Sequence, residues 1–216
     1  VTFCVASIGY AQQPIQSLPA NLTQVASVEG ITEYQLPNGL KVLLLPDDSL
    51  DTITVNIVYL VGSRDEGYSE ASMAHLLEHL LFKGTERHPD IKNEFTKRGA
   101  RWNGTTSYDR TNYYETVPSN QLEKMLWLEA DRMGFLLDAV TQKKFEIQRS
   151  TVKNERGQNY DNRPYGLAGE IASRNLYPYG HPYSWLTIGY VEDLNRVNVE
   201  DLKNFFLRWY GPNNAT

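Results

Sequence analysis

His75, Glu78 and His79 stand at i, i+3 and i+4 in the run His75-Leu76-Leu77-Glu78-His79. On an α-helix those positions share one face, so two imidazoles and a carboxylate converge on one point. Neutral imidazole nitrogens suit zinc, and a carboxylate beside them can take a proton from water that the metal has acidified. The order His-x-x-Glu-His inverts the commoner His-Glu-x-x-His. Two histidines one turn apart also arise by accident on a polar helix face. Here, though, the chain has only four histidines, and two of them fall within these five residues.

The element that must carry them is a helix over about residues 70–83. Ser69 is the expected N-cap with Glu70 in the first turn, and Gly84 is the expected stop. Met73, Leu76, Leu77, Leu80 and Leu81 form a broad apolar face beside the metal-binding one. Burying that face would hold the ligands rigid and partly dry. A catalytic zinc takes three protein ligands and keeps one position open. Glu155, which lies 76 positions beyond His79, is the candidate third ligand. It sits on a helix expected from Gln142 to about Tyr160, with Phe145 and Val152 inward. On spacing alone, Glu155 is one exposed acid among several.

The run Phe82-Lys83-Gly84-Thr85 follows the motif, and Asn103-Gly104-Thr105-Thr106-Ser107-Tyr108-Asp109-Arg110-Thr111-Asn112-Tyr113-Tyr114 leads to Val117-Pro118. Further on come Val152-Lys153-Asn154-Glu155-Arg156, Asn162-Arg163-Pro164-Tyr165-Gly166, and His181-Pro182-Tyr183 with Ile188-Gly189. In this order and spacing, over roughly residues 31–216, the chain resembles the M16 family of zinc peptidases, which includes pitrilysin, insulin-degrading enzyme and the mitochondrial processing peptidase. The resemblance implies one zinc per domain, held by His75, His79 and Glu155, with Glu78 as general base. It also implies that a strand at Asn103 and Gly104 pairs with the backbone of a peptide or unfolded polypeptide, as strand addition does at sheet edges. Read alone, Asn-Gly is a common turn dipeptide.

Two positions depart from the family's pattern. Gln148 stands where many relatives carry a second acid, two helical turns before Glu155; an amide there can still orient a histidine or water, without charge. Ser72 stands where glycine is frequent. Active relatives build their site from two homologous domains of about this size, so the expected partner is a homologous second domain or subunit. The chain reads as the N-terminal catalytic domain, residues 31–216, truncated at its C-terminal end.

Composition agrees with one such domain. With 216 residues, of which 41% are apolar and 12% aromatic, a sizeable core is available. A net charge of −5 gives no reason to expect nucleic acid. No apolar run reaches the ~18 residues of a membrane span. The single Cys4 excludes an internal disulfide and a cysteine metal site. Residues 1–11 are apolar, end in small residues and read as part of a signal peptide, giving a periplasmic or secreted bacterial protein. Residues 12–30 read as an N-terminal extension.

The rest predicts an α+β fold, an antiparallel-rich sheet with helices packed on one face. Ile31–Leu36 and Leu40–Leu45 flank a Pro37-Asn38-Gly39 turn, Asp51–Val61 alternates, and strands follow near 101–107 and 110–117. A short helix ends at Gly99, and longer ones are expected near 119–138, 142–159, 163–175 and 198–210. His88 is expected in an exposed loop, His181 in a structural role, and Tyr113, Tyr114, Trp127 and Trp209 in the core. Besides a zinc endopeptidase, two readings stay open. One is a non-catalytic member of the same family, although such subunits typically lose motif residues. The other is a lyase resembling S-ribosylhomocysteinase, which would need a cysteine near its metal.

Overall fold

A computed structural model describes residues 21–67 and 69–216. The signal-peptide reading, Cys4 and residues 12–20 of the N-terminal extension lie outside the described residues. Within them the fold is α+β, and every strand pair is antiparallel. One sheet has the order β1 (Thr23–Val28), β2 (Ile31–Gln35), β3 (Lys41–Leu44). The other runs β4 (Thr52–Tyr59), β6 (Thr111–Pro118), β5 (Arg101–Thr106), which leaves β5 at an edge.

Alternation along β4 and β6 sorts the two faces of the second sheet. Val55, Tyr59, Tyr113 and Val117 are buried on one face. The other carries the exposed pairs Thr54–Thr116 and Asn56–Asn112. Helices α1 (Met73–Leu81), α2 (Ile91–Thr96) and α3 (Leu122–Ala139) contact this sheet. Next come α4 (Gln142–Arg156), α5 (Ala168–Leu176), α6 (Val191–Arg196) and α7 (Val199–Trp209); α1 packs on both α4 and α7. Met73, Leu76, Leu77, Leu80 and Leu81 are all buried, as the apolar stripe requires. Truncating any one of these leucines to alanine would cost about 2–5 kcal/mol.

The two sheets are stitched together by Asn214–Thr216. Thr216 exchanges two backbone hydrogen bonds with Val58 of β4 (2.8 and 2.9 Å), and Leu60 N–H donates to the Asn214 carbonyl at 3.0 Å. On the other side, Lys41 N–H of β3 donates to the Ala215 carbonyl at 3.3 Å. The β2–β3 turn, with Gly39 at φ +90°, leans on Asn213; a Cβ at Gly39 would lie 2.8 Å from the Asn213 Cβ.

Several expectations need correction. The segment read as an extension contains β1, whose six residues are all exposed. The motif helix begins at Met73 rather than residue 70, because Ser69 (φ +65°) and Ser72 (φ +83°) hold the chain in left-handed conformations. Glu70 instead pairs with Arg208 of α7 at 3.1 Å. The helix expected from 163 starts at Ala168, after Tyr165 at φ +58°. The helix expected to 159 gives way at Gly157–Asp161 to a π-helical segment, and α6 was not expected. Trp127 is 42% exposed, not core, and half-buried His88 packs edge-on against it at 4.3 Å. Tyr114 and Trp209 are only partly buried, whereas Tyr113 is fully buried. His181 has the structural role expected of it, stacking on Tyr177 and accepting a hydrogen bond from Tyr183 N–H through Nδ1.

One buried feature has no counterpart in the sequence reading. Arg132 of α3 lies in the core between Glu115 of β6 (3.1 Å) and Glu129, its neighbour one turn earlier. Its guanidinium also sits over the rings of Tyr113, Phe82 and Phe95.

Candidate metal centre

α1 brings His75 and His79 onto one face, and α4 packs across it to supply Glu155. The two Nε2 atoms are 3.3 Å apart, and Glu155 Oε2 lies 3.4 Å from His79 Nε2 and 3.8 Å from His75 Nε2. Zinc bonds of about 2.0–2.1 Å in a tetrahedron separate ligand atoms by ~3.3 Å, so this donor set fits the ion. Side-chain exposures of 14%, 22% and 36% leave the cluster partly open to solvent.

Charge is arranged to match. Burial, helped by the nearby His79, pulls the His75 pKa down to about 4. At neutral pH His75 therefore offers a lone pair and not a proton. The hydrogen bond with His79, chiefly, holds the Glu155 carboxyl below its ordinary range, against partial burial. Glu78 is pushed the other way, chiefly by burial and opposed by a hydrogen bond from Thr106. A carboxylate raised in this fashion is a better proton acceptor.

The start of α1 is fixed by a residue the sequence reading passed over. N-cap Ser72 makes no side-chain cap bond. In its place the fully buried Glu66 accepts from Ser72 N–H (3.1 Å) and Ala74 N–H (3.0 Å), and Trp185 Nε1–H donates to it at 3.2 Å. Burial pushes the Glu66 carboxyl well above the ordinary range, and these three hydrogen bonds oppose that shift. A cavity of about 540 Å³ lies behind this cap, between Glu66, Trp185, Tyr190 and Arg174, and none of the four motif residues lines it. At the end of α4, Arg156 donates to the Gly189 carbonyl at 2.5 Å. A Cβ at Gly189 would lie 2.5 Å from Ser72, so this loop is pressed against the start of α1. Only an acid a few residues before a helix could have signalled Glu66, and many surface acids share that placement.

Asn103 and Gly104 fall on edge strand β5, with Asn103 exposed and its side-chain oxygen accepting from Gly104 N–H at 2.9 Å. They are not the turn that an Asn-Gly pair alone would favour. Gln148 is buried on α4, two turns before Glu155.

The family model for insulinase, peptidase family M16, matches residues 41–173. The chain belongs to this family. Among its relatives in the M16 family, zinc protease PqqE of Helicobacter pylori is 36% identical over 186 residues, covering 83% of this chain and 40% of that protein. The crystal structure of a protease from Helicobacter pylori superposes with a TM-score of 0.81 at 34% identity, over 86% of this chain and 44% of that one. The periplasmic protease PqqL of Escherichia coli shares the fold, with a TM-score of 0.78 at 23% identity over 90% of this chain and 22% of that one. The chain thus spans less than half the length of these M16 relatives. No helix among the described residues is long and apolar enough to cross a membrane.

Proposed function

We propose that this domain is the metal-bearing part of a zinc-dependent endopeptidase that hydrolyses peptide bonds in extended polypeptides, in the periplasm or outside the cell. The observation that carries the reading is the spacing of three donor atoms, 3.3 to 3.8 Å apart, with Glu78 on the same turn of helix. His75, His79 and Glu155 would hold the ion, with Gln148 as an uncharged buried support behind Glu155. When bound, zinc polarises the scissile carbonyl and brings the pKa of water toward neutrality. Glu78 accepts the proton released as water attacks and returns it to the departing amine. The free edge of β5, at Asn103 and Gly104, receives the substrate backbone as an added strand, which recognises peptide rather than a particular sequence. A homologous second domain or subunit completes the substrate clamp. Without it, hydrolysis by this part alone should be poor, since positioning contributes ~7–11 kcal/mol to such reactions.

Zinc analysis and a quenched-peptide assay on the complete protein test this. His75→Ala and His79→Ala should abolish stoichiometric zinc. Glu78→Gln should retain zinc while turnover falls about 10²–10⁴-fold. Full zinc in both histidine variants, or normal turnover in Glu78→Gln, would refute the assignment. A non-catalytic subunit would show zinc without zinc-dependent cleavage. A lyase would need a cysteine, and the chain's single one, Cys4, lies in the presumed signal segment.

A further inference from the structure

β5 and the end of α1 are held in register by two contacts with matching spacing. Strand side chains alternate, so Trp102, Gly104 and Thr106 share one face. Facing them are Phe82 and Glu78, one helical turn apart. The rings of Phe82 and Trp102 lie 5.1 Å apart, and a Cβ at Gly104 would come within 2.8 Å of Phe82 Cε2. Glycine there lets the ring lie against the strand. Two residues further along β5, Thr106 Oγ1–H donates to Glu78 Oε2 at 2.6 Å. Four helical residues rise ~6 Å and two strand residues ~6.7 Å, so both contacts close at once. Thr111 Oγ1, 3.4 Å from Thr106 Oγ1, donates to the Val61 carbonyl at 2.9 Å. That bond occupies the Thr111 proton and leaves the Thr106 proton to Glu78.

We propose that Thr106 is a positioning residue for hydrolysis: its hydroxyl pins Oε2 of Glu78 and leaves Oε1 as the proton acceptor. This rests on the endopeptidase reading above and adds a coupling to it. Thr106 ends the edge strand that would receive the peptide, so substrate and base are referenced to one rigid element. A peptide added to β5 is thereby registered against the oxygen that takes the proton.

Thr106→Val keeps the side-chain shape and deletes the donor, while Thr106→Ser keeps the donor. In the complete, zinc-loaded protein Thr106→Val should lower kcat about 10- to 100-fold with KM and zinc content unchanged. Thr106→Ser should stay close to wild type. A crystal structure of metal-free Thr106→Val should show the Glu78 carboxylate displaced from its place against β5. Wild-type kcat in Thr106→Val, equal losses in both variants, or an unmoved Glu78 would overturn the proposal. Glu78→Gln, measured alongside, separates the two ideas. Normal turnover there refutes the hydrolytic reading, while the Thr106→Val structure still decides whether the hydroxyl holds Glu78.

Discussion

Arg132 with Glu115 and Glu129, and His75 with His79 and Glu155, are both trios of ionisable side chains drawn from two elements, yet they meet solvent differently. The Arg132 trio is sealed, with side-chain exposures of 1%, 0% and 6%. It contains its own cation, and burial together with the negative Glu129 pushes the Glu115 pKa up to about 10, so that carboxyl stays neutral. The histidine trio is half-open, and each member offers one ligand atom to a common point. A buried charge cluster that balances itself holds a core together. An open cluster of this kind leaves room for an ion from outside, which is the role proposed for it above.

The sharpest way to break this contrast is to exchange the outcomes of mutation. Arg132→Leu leaves Glu129 buried without its partner and should cost about 3–5 kcal/mol in urea unfolding. Zinc binding by the fraction that remains folded should be unaffected. Stability within experimental error of wild type would remove Arg132 from its structural role.

His79→Leu should do the reverse. Metal-free stability should change little, because the imidazole it removes is partly exposed. The stabilisation that zinc gives the native state, about 2.7 kcal/mol at 100 times Kd, should vanish. Calorimetry with and without zinc reads both effects, and a zinc-dependent shift that survives in His79→Leu would contradict the ligand assignment.

A smaller effect separates the two trios by pH. The Glu115 carboxyl binds its proton in the fold well above the 4.5 of an exposed glutamic acid. The native state therefore carries an extra proton across neutral pH, and stability falls as pH rises from 5 toward 9. Glu115→Gln removes this linkage, so its stability relative to wild type should improve by about 1 kcal/mol or more over that range. A constant difference across the range would show that Glu115 is ionised in the fold.

The smallest expected change is a gain. Ser72 holds φ +83°, and its buried hydroxyl finds no hydrogen-bond partner among the described residues. Ser72→Gly relieves both costs and adds unfolded-chain entropy, for a net stabilisation of about 1 kcal/mol. A lower melting temperature in this variant would mean that the hydroxyl has a partner in solution.

How much of this was legible in the sequence follows from how local each contact is. His75, Glu78 and His79 share a face on any helix, so their spacing alone brought them together. Glu155 was reachable only through the family resemblance, because nothing in the residues between requires α4 to cross α1. Thr106 and Glu66 act on α1 from other segments, and a threonine in a strand or an acid in a loop looks the same with or without such a target. Arg132 reads as an ordinary charge on a helix until β6 places Glu115 opposite it. β1 was hidden because its exposed residues show no apolar face, and the late start of α1 because Ser69-Glu70 imitates a cap that positive φ values then forbid.

The strap at Asn214–Thr216 also sets an order of events. It is the piece that joins β3 to β4, and its partners Lys41, Val58 and Leu60 lie more than 150 positions earlier in the chain. Closing that loop requires most of the chain to be ordered or spanned, which makes the contact costly in entropy and late in time. During synthesis the first hairpin would leave the ribosome without its dock and wait for residues 214–216. Val25, Val28, Leu43 and Leu44 stay exposed even after docking, so this hairpin offers an apolar surface to chaperones before and after the strap closes.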